Sequence, residues 1–192
     1  MTILSDRFLA ALDFALETHQ GGARKGTEIP YFSHLLQVSG LVLEFGGTED
    51  EAIGALLHDA AEDEGGEETL AEILRRFGPQ VESIVRQNSD SITTDKDSKA
   101  PWLERKTQYI AGIVDKTPDA LLVSICDKIH NARSLNQDTR SLGPTHWNRF
   151  NATKEDSLWY YQSLATEFGK RVVDDKRLAS AVETLKLEVD LL

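Results

Sequence analysis

Apolar residues recur at helical spacing along nearly the whole chain, in sets that glycine, proline and short polar runs separate. In the first set Phe8, Leu12 and Ala15 lie three or four residues apart, and Ser5 stands where an N-cap is expected. No stretch shows sustained alternation of apolar and polar residues, which is the pattern of a half-buried strand. The pattern therefore predicts an all-α fold.

Glycine, proline and capping residues divide this pattern into a helical bundle of about 8 to 11 helices. Thr48 with Glu51 and Thr69 with Glu72 each match a capping box at the start of a helix. The predicted helices run from Ser5 to Gly21, Pro30 to Phe45, Thr48 towards Gly65, Thr69 to Gly78, Pro79 through Val85, Pro101 to Asp115, Asp119 to Asn136, Thr153 to Phe168 and Lys176 to Leu191.

The polar stretch over residues 88–99 has the composition of an exposed loop. A lid over a site and a plain connection are both compatible with it. Neither an internal repeat nor a linker long enough to separate domains interrupts the chain, so residues 1–192 are predicted to form a single domain.

Composition points to a cytoplasmic protein. The single cysteine, Cys126, stands in an apolar run and excludes an internal disulfide framework, as expected in a reducing compartment. No apolar run approaches the roughly 18 to 20 residues needed to cross a bilayer, and the N-terminus lacks the pattern of a signal peptide. The sequence therefore predicts no membrane association.

The net charge is −11, from 32 acidic and 21 basic residues. This charge disfavours duplex nucleic acid and anionic membranes as partners, because the protein would repel long polyanions. A small anionic ligand is compatible with it, since the local charge of a pocket matters more for such a ligand.

An otherwise apolar predicted helix contains four ionisable residues close together: His58, Asp59, Glu62 and Asp63. Burying these groups unpaired would cost several kcal/mol each, and a divalent cation would compensate for that cost. On a continuous helix Glu62 and Asp63 lie four residues beyond His58 and Asp59. This spacing predicts two metal ligands in one layer and two spare carboxylates in the next.

The predicted helix from Asp119 to Asn136 also carries polar residues in an otherwise apolar segment. They follow the apolar run over residues 121–125 and form one stripe: Asp127, His130, Asn131 and Ser134. Asp127 is therefore a candidate ligand at the end of a buried segment. Two interpretations of His130 stay open: it contacts and orients the candidate ligand Asp127, or it packs and hydrogen-bonds in the core.

His34, near the start of the second predicted helix, is either a core histidine or a further ligand. Together with His58, Asp59 and Asp127 it forms a mixed imidazole and carboxylate set. Such a set suits manganese, iron or zinc with open positions for water, whereas a closed structural zinc site favours thiolates.

Positive charge precedes two of these candidates in the sequence. Arg24 and Lys25 stand before His34, and Lys106 lies in the helix before Asp127. Each cation is either an ordinary solvated surface charge or a contact for an anionic ligand.

These residues, in this order, resemble those of the HD-domain metal-dependent phosphohydrolases. More narrowly, they resemble the hydrolase domain of the RelA/SpoT-homologue alarmone enzymes, and the single-domain small alarmone hydrolases are most similar. The matching blocks are Arg24-Lys25-Gly26 with Pro30-Tyr31 and His34, His58-Asp59 with Glu62-Asp63, and Asp127-Lys128-Ile129-His130-Asn131-Ala132-Arg133.

The resemblance implies one bound Mn2+, with other divalent ions as alternatives. The implied metal ligands are His34, His58, Asp59 and Asp127. Glu62 and Asp63 would handle the nucleophilic water and the proton transfer, in an order that the sequence leaves open. Arg24 and Lys25 would contact the nucleotide, Asn131 its sugar, and Tyr31 and Ser33 would line the pocket. Lys106 is expected to hold phosphate oxygens together with Arg24 and Lys25.

The implied reaction removes the 3′-diphosphate of ppGpp or pppGpp as pyrophosphate, leaving GDP or GTP. Glu64, Lys128 and Ala132 depart from the pattern of the long family members, so the base is left open and ppApp or pppApp are competing substrates. Two alternatives remain: another HD nucleotidase or phosphatase, for example one acting on the 2′-phosphate of NADPH, or a module that senses a nucleotide without cleaving it. The expected partner is a small nucleotide, and the sequence leaves the oligomeric state undetermined.

Overall fold

A computed structural model describes residues 1–63, 65–89, 92, 100–172 and 174–192, except for the side chain of Asp63. Within these residues the chain forms ten α-helices and an isolated bridge between Ala23 and Pro30, which confirms the predicted all-α class. The α-helices are α1 (Asp6–Thr18), α2 (Phe32–Glu44), α3 (Glu49–Leu57), α4 (Ala60–Asp63), α5 (Glu67–Phe77), α6 (Pro79–Asn88), α7 (Trp102–Gly112), α8 (Pro118–Leu142), α9 (Lys154–Arg171) and α10 (Lys176–Val189). Two 3-10 segments, Ile113–Asp115 and Gly143–Arg149, follow α7 and α8.

Local sequence explains several of the helix starts. The capping box predicted at α3 is present: Thr48 Oγ1 accepts from the Glu51 amide at 3.2 Å, and Glu51 Oε2 accepts from the Thr48 amide at 2.6 Å. Pro79 and Pro118 stand in the first turns of α6 and α8, where a missing amide proton costs nothing. The segment before α8 ends at Thr117, whose hydroxyl caps that helix.

Three predicted boundaries are wrong. The helix that was expected to continue towards Gly65 ends at Leu57, and α4 begins at Ala60 after a turn. The capping box predicted at Thr69 does not start a helix, because α5 already begins at Glu67, after Gly66 in the left-handed region with φ 56°. The helix expected to end near Asn136 continues to Leu142. Most of the predicted loop over residues 88–99 lies outside the described residues.

The core is built around α8. The run from Leu121 to Cys126 is buried on all sides, and α8 packs against α2, α3, α6, α9 and α10. A second group of buried side chains joins α1, α3, α5 and α6. Asp127 directly follows the buried run, so the helix places its carboxylate at the interior of the bundle. In the described part of the chain no helix, α8 included, combines the length and the apolarity needed to span a membrane.

Candidate metal centre

Four side chains from three distant segments meet at one point of the bundle. His34 comes from the first turn of α2, His58 and Asp59 from the turn between α3 and α4, and Asp127 from α8. His34 and His58 are 1% and 2% exposed, and Asp127 is 7% exposed. The two imidazoles are therefore almost completely removed from water.

The polar atoms of this group lie within contact of one another. Nε2 of His34 lies 3.3 Å from Asp127 Oδ1 and 3.7 Å from Asp59 Oδ2. Nε2 of His58 lies 3.0 Å from Asp59 Oδ2 and 3.7 Å from Asp127 Oδ1. One ligand atom each from His34, His58 and Asp59 lies within 4.8 Å of the other two. Two nitrogens and two oxygens thus converge on one small volume.

The turn between α3 and α4 makes this convergence geometrically possible. Neighbouring residues of a continuous α-helix point about 100° apart, so two consecutive side chains rarely reach one point. The chain leaves the helix at His58 and re-enters it at Ala60. The prediction that His58, Asp59 and Glu62 stand on one continuous helix is therefore wrong, and the turn is what brings the first two together.

Both imidazoles present Nε2 to the centre and use Nδ1 elsewhere. Nδ1 of His58 lies 2.8 Å from the carbonyl oxygen of Ala55, to which it donates. Nδ1 of His34 lies 2.6 Å from Nδ1 of His130 on α8. The sequence left the role of His130 open, and the structure pairs it with His34.

Nearby charges oppose the effect of burial on the pKa values of the two carboxylates and add to it at His130. Burial lowers the pKa of His34, and burial together with the nearby His34 and Arg24 lowers the pKa of His130 to about 3. Burial opposes ionisation of Asp59 and Asp127, yet neighbouring cations outweigh it and hold both pKa values well below the usual range. Both carboxylates are therefore ionised at neutral pH.

His58 differs from the other histidines. Burial works against its charged form, but Asp59 and Asp127 outweigh burial and raise its pKa well above the usual value. Two carboxylates thus attract a positive charge to the position of Nε2. A divalent cation would compete with a proton for this nitrogen.

The residues fit a metal ion. Nε2 of His58 is buried, and although Asp59 Oδ2 lies 3.0 Å away, no contact of this nitrogen with the described residues has hydrogen-bond geometry. The four separations between an imidazole nitrogen and a carboxylate oxygen, 3.0 to 3.7 Å, match donors placed at about 2.0 to 2.2 Å from one cation. The group in which all ligand atoms lie within 4.8 Å of one another consists of His34, His58 and Asp59, and Asp127 lies beside it. Two imidazoles and two carboxylates suit manganese, iron or zinc with positions left for water or substrate. We therefore describe this group as the candidate metal centre.

Polar side chains hold the two carboxylates from outside. The Tyr31 hydroxyl donates to Asp59 Oδ2 at 2.5 Å. Lys128 Nζ donates to Asp127 Oδ2 at 2.6 Å, and Asn131 Nδ2 donates to Asp127 Oδ1 at 2.5 Å. Each carboxylate thus accepts a hydrogen bond from a neighbouring side chain in addition to its contacts with the two imidazoles.

Arg24 joins the same network from the loop before α2. Its Nη2 donates to Asn131 Oδ1 at 2.6 Å, and its guanidinium carbon lies 5.7 Å from the centroid of the Tyr31 ring. Asn131 therefore bridges Arg24 to Asp127. The structure brings three residues predicted to contact the substrate, Arg24, Tyr31 and Asn131, to the candidate metal centre.

Backbone bonds and a glycine shape the loop that carries Arg24 and Lys25. The Arg24 amide donates to the Ile29 carbonyl at 2.8 Å, which closes the loop. Gly26 has φ 68°, and an added Cβ there would lie 2.8 Å from Cδ of Arg149. Nζ of Lys25 lies 5.9 Å from the centroid of the Phe150 ring. The loop is thus packed against the segment that follows α8.

Lys106 faces two aromatic rings, and one of them, Tyr109, also faces Lys128. Its Nζ lies 5.2 Å from the centroid of Tyr160 and 6.0 Å from that of Tyr109. Nζ of Lys128, which donates to Asp127, lies 4.8 Å from the Tyr109 centroid. Tyr109 therefore links the surroundings of Lys106 to the candidate metal centre.

The remaining predicted site residues are less directly placed. Ser33 is half-buried in the first turn of α2, next to His34. Glu62 is half-buried in α4, three residues after Asp59. Asp63 belongs to α4, and its side chain lies outside the described residues. Their roles stay predictions.

Sequence reasoning gave no role to Tyr109 or Phe150, whose rings face the lysines of this region. An aromatic residue at helical spacing indicates a core position, and nothing in its local sequence indicates a cation over the ring. The pairing of Phe150 with Lys25 joins two segments that are far apart in the sequence. No local pattern could have predicted it.

A helical bundle with a buried centre of histidine and aspartate defines a class of metal-site proteins, and the comparison with known families agrees. The family model for the HD domain matches residues 11–169. The chain belongs to the HD domain family.

Individual relatives within this family belong to a narrower group, and they confirm the resemblance to small alarmone hydrolases. The guanosine-3′,5′-bis(diphosphate) 3′-pyrophosphohydrolase MESH1 of Mus musculus is 36% identical over 144 residues, which are 73% of this chain and 74% of the mouse protein. The MESH1 protein of Drosophila melanogaster is 30% identical over 190 residues, covering 97% of this chain and 94% of its own. The solved structure of a metazoan SpoT ortholog that hydrolyses ppGpp covers the whole of both chains with a TM-score of 0.75 at 25% identity.

Proposed function

We propose that this protein is a metal-dependent alarmone hydrolase that removes the 3′-diphosphate of ppGpp or pppGpp, or of the adenosine equivalents. The products are pyrophosphate and GDP or GTP, or the corresponding adenosine nucleotides. Residues 1–192 would act as a single HD-type domain in the cytoplasm, with a small nucleotide as partner.

One observation carries this proposal: the hydrogen-bonded path from Arg24 through Asn131 to Asp127. A cation suited to a phosphate or a base and a candidate metal ligand thereby belong to one site. Relatives that align over most of this chain are named for 3′-pyrophosphohydrolysis of a guanosine bis(diphosphate). The activity for which these relatives are named matches what this combination of groups can do.

We propose Mn2+ as the resident ion, held by His34, His58, Asp59 and Asp127, with other divalent ions as substitutes. When bound, such an ion neutralises phosphate charge and makes a coordinated water easier to deprotonate. The chain's own contribution to this site is orientation. Tyr31, Lys128 and Asn131 hold the carboxylates, so little rearrangement is needed when substrate arrives.

Glu62 and Asp63 are the proposed proton-transfer groups. Water adds to the phosphorus bonded to ribose O3′, that bond breaks, pyrophosphate leaves, and O3′ ends with a proton. One carboxylate would accept the proton of the water and one would return a proton to O3′. We assign the pair to both tasks jointly, because the sequence leaves the order of the two roles open.

The cations around the centre are the proposed nucleotide contacts. Arg24 and Lys25 lie on the loop packed against the segment after α8, and Lys106 lies over Tyr160 and Tyr109. Ionised donors such as these hold phosphate oxygens in line for the reaction. We assign the ribose to Asn131 and the pocket wall to Tyr31 and Ser33.

The experiment that tests this function is product release by the purified, metal-stripped protein after addition of Mn2+. Parallel reactions with ppGpp, pppApp and NADPH separate the candidate substrates. Pyrophosphate from either of the first two establishes the 3′-pyrophosphohydrolase and identifies its base. Orthophosphate from NADPH alone would move the activity to a 2′-phosphatase at the same site.

Variants assign the roles within the site. Asp59→Ala is expected to lose Mn2+ binding and turnover together, because it removes a ligand. Glu62→Gln is expected to keep Mn2+ binding and lose turnover. Glu155→Gln, at an exposed carboxylate in the first turn of α9, is the matched control and keeps both. An Asp59→Ala protein that turns over substrate without metal would contradict the assignment.

A further inference from the structure

The two histidines of the candidate metal centre are oriented in different ways. His58 donates from Nδ1 to a backbone carbonyl, that of Ala55, at 2.8 Å. His34 has a side chain as its partner, since its Nδ1 lies 2.6 Å from Nδ1 of His130. The orientation of His34 therefore depends on the identity of another residue, whereas that of His58 depends only on its own helix.

The direction of the bond between the two imidazoles follows from the position of His34. Its Nε2 faces the carboxylates of Asp59 and Asp127 at 3.7 and 3.3 Å, and it must carry a lone pair to bind a metal ion. A neutral imidazole then has its proton on Nδ1. His34 is thus the donor, and Nδ1 of His130 must accept.

The placement of His130 fits this task. It lies on α8 three residues after Asp127, so the two side chains share a face of the helix. It is 6% exposed, and the centroids of its ring and the His34 ring are 4.7 Å apart. Water therefore competes little for the Nδ1 proton of His34.

From this geometry we propose that His130 is a positioning residue of the metal centre: it accepts the Nδ1 proton of His34 and thereby fixes the tautomer in which His34 Nε2 is free to bind metal. α8 then supplies both a ligand, Asp127, and the group that orients a ligand on α2. The inference rests on the proposed metal site and is independent of the nucleotide that the protein cleaves.

The first test reads the tautomers directly in the protein loaded with Zn2+, a diamagnetic ion that suits the same ligands. Long-range proton–nitrogen NMR of the ¹⁵N-labelled chain distinguishes the two tautomers of each histidine, and His34→Gln assigns the His34 signals. The expected result is a proton on Nδ1 of His34 and on Nε2 of His130. A proton on Nδ1 of His130, or on Nε2 of His34, would overturn the proposal without any need for a variant of His130.

The second test measures Mn2+ affinity by calorimetry in two variants. His130→Phe keeps a flat ring and removes the acceptor, so affinity should fall by about 10- to 100-fold, and His34 should populate both tautomers. His130→Asn places an amide oxygen near the position of Nδ1 and should restore affinity to within a few-fold of wild type. Melting temperatures of the metal-free variants show that each is folded.

A matched control and the contrary outcomes complete the design. His146→Phe alters another buried histidine, which donates from Nδ1 to the Gly143 carbonyl, and it should leave Mn2+ affinity unchanged. If His130→Phe binds Mn2+ as wild type does, or if His130→Asn is as impaired as His130→Phe, then His130 only packs. A wild-type protein that binds no Mn2+ would refute the metal site together with this inference. Binding of Mn2+ without nucleotide cleavage would refute only the proposed function.

Discussion

Single residues of the candidate metal centre keep charged and polar atoms in place where water is scarce. The Tyr31 hydroxyl holds one oxygen of Asp59, and Lys128 and Asn131 each hold one oxygen of Asp127. Hydrogen bonds to ionised groups contribute about 1.5 to 3 kcal/mol each, more than neutral ones. These donors therefore determine how much rearrangement metal binding requires.

We expect Tyr31→Phe to weaken Mn2+ binding by about tenfold, because Asp59 loses the donor that orients it. The phenyl ring keeps the stack on His19, whose ring centroid lies 5.1 Å away, so the melting temperature of the metal-free protein should change little. Calorimetric titration with Mn2+ measures the effect. Unchanged affinity would show that the hydroxyl does not orient Asp59.

For single residues, the sequence indicates which residues belong to the site better than it indicates which of them contact each other. His58 and Asp59 are recognisable because charged groups in an apolar segment demand compensation. The hydrogen bond between His34 and His130 joins α2 to α8, and the bond between Arg24 and Asn131 joins a loop to α8. Such pairs depend on how helices are arranged in space, and local spacing carries no information about that arrangement.

Among the elements, α3 is held by close packing on one side and by an ion pair on another. Gly54 brings its backbone close to Ile84 on α6, since an added Cβ would lie 2.6 Å from Ile84 Cγ2. Glu51, fully buried in the first turn of α3, pairs with Arg177 of α10 at 3.1 Å. α3 leads directly into the turn that carries His58 and Asp59, so its position affects the candidate metal centre.

Gly54→Ala should destabilise the protein by about 1 to 3 kcal/mol, because the new methyl group overlaps a branched side chain that cannot rotate away. Gly169→Ala is the matched control: Gly169 lies in α9 and an added Cβ there meets nothing within 4 Å. That change should stabilise by up to about 1 kcal/mol through helix propensity. Urea denaturation of both variants checks the signs, and equal effects would contradict the packing argument.

Glu51 should give α3 a measurable pH dependence. Burial raises its pKa above the usual 4.5, despite the Thr48 amide and Arg177. Above pH 4.5 the folded state then holds this proton more tightly than the unfolded state does, so the contribution of Glu51 to stability falls as pH rises through the folded pKa. The slope is at most about 1.4 kcal/mol per pH unit.

Glu51→Gln keeps an acceptor for the Thr48 amide and removes this titration. The stability of wild type minus that of Glu51→Gln, measured by urea denaturation, should therefore decline as pH increases from 4.5. A difference that stays constant or increases with pH would show that Arg177 and the cap fully compensate for burial.

Helix boundaries were predictable where a capping residue or a proline marks the start of the helix. Thr48 and Pro79 mark starts that backbone chemistry alone requires. The break at His58 was not predictable, because apolar spacing continues from Leu57 into Ala60 and Ala61. The meeting of that turn with α2 and α8 belongs to the tertiary structure.

Across the whole molecule, the candidate metal centre joins segments that are far apart in sequence. Its residues come from α2, from the turn after α3 and from the middle of α8, around which the core is built. The acidic surface implied by a net charge of −11 contrasts with the cations Arg24, Lys106 and Lys128 near the site. An anionic ligand is therefore attracted locally by a protein that repels polyanions overall.

Mn2+ should stabilise the entire fold, because the assembled site exists only in the folded chain. At 100 times its dissociation constant, a ligand of the native state adds about 2.7 kcal/mol. For a protein of this size that corresponds to an increase in melting temperature of about 5 to 10 °C. Thermal denaturation with Mn2+ and with a chelator measures the shift, and Asp59→Ala should show none. A similar increase in Asp59→Ala would place the stabilising ion elsewhere.

The origin of the ligands in three distant segments also has a consequence for kinetics. A partly folded chain in which α8 has not docked lacks Asp127 at the centre, and it also lacks the His130 contact that fixes His34. A transition state of that kind gains little from the ion, so Mn2+ would lower the rate of unfolding and leave the rate of refolding almost unchanged. In a cell the ion would then prolong the lifetime of finished molecules without helping new chains to fold.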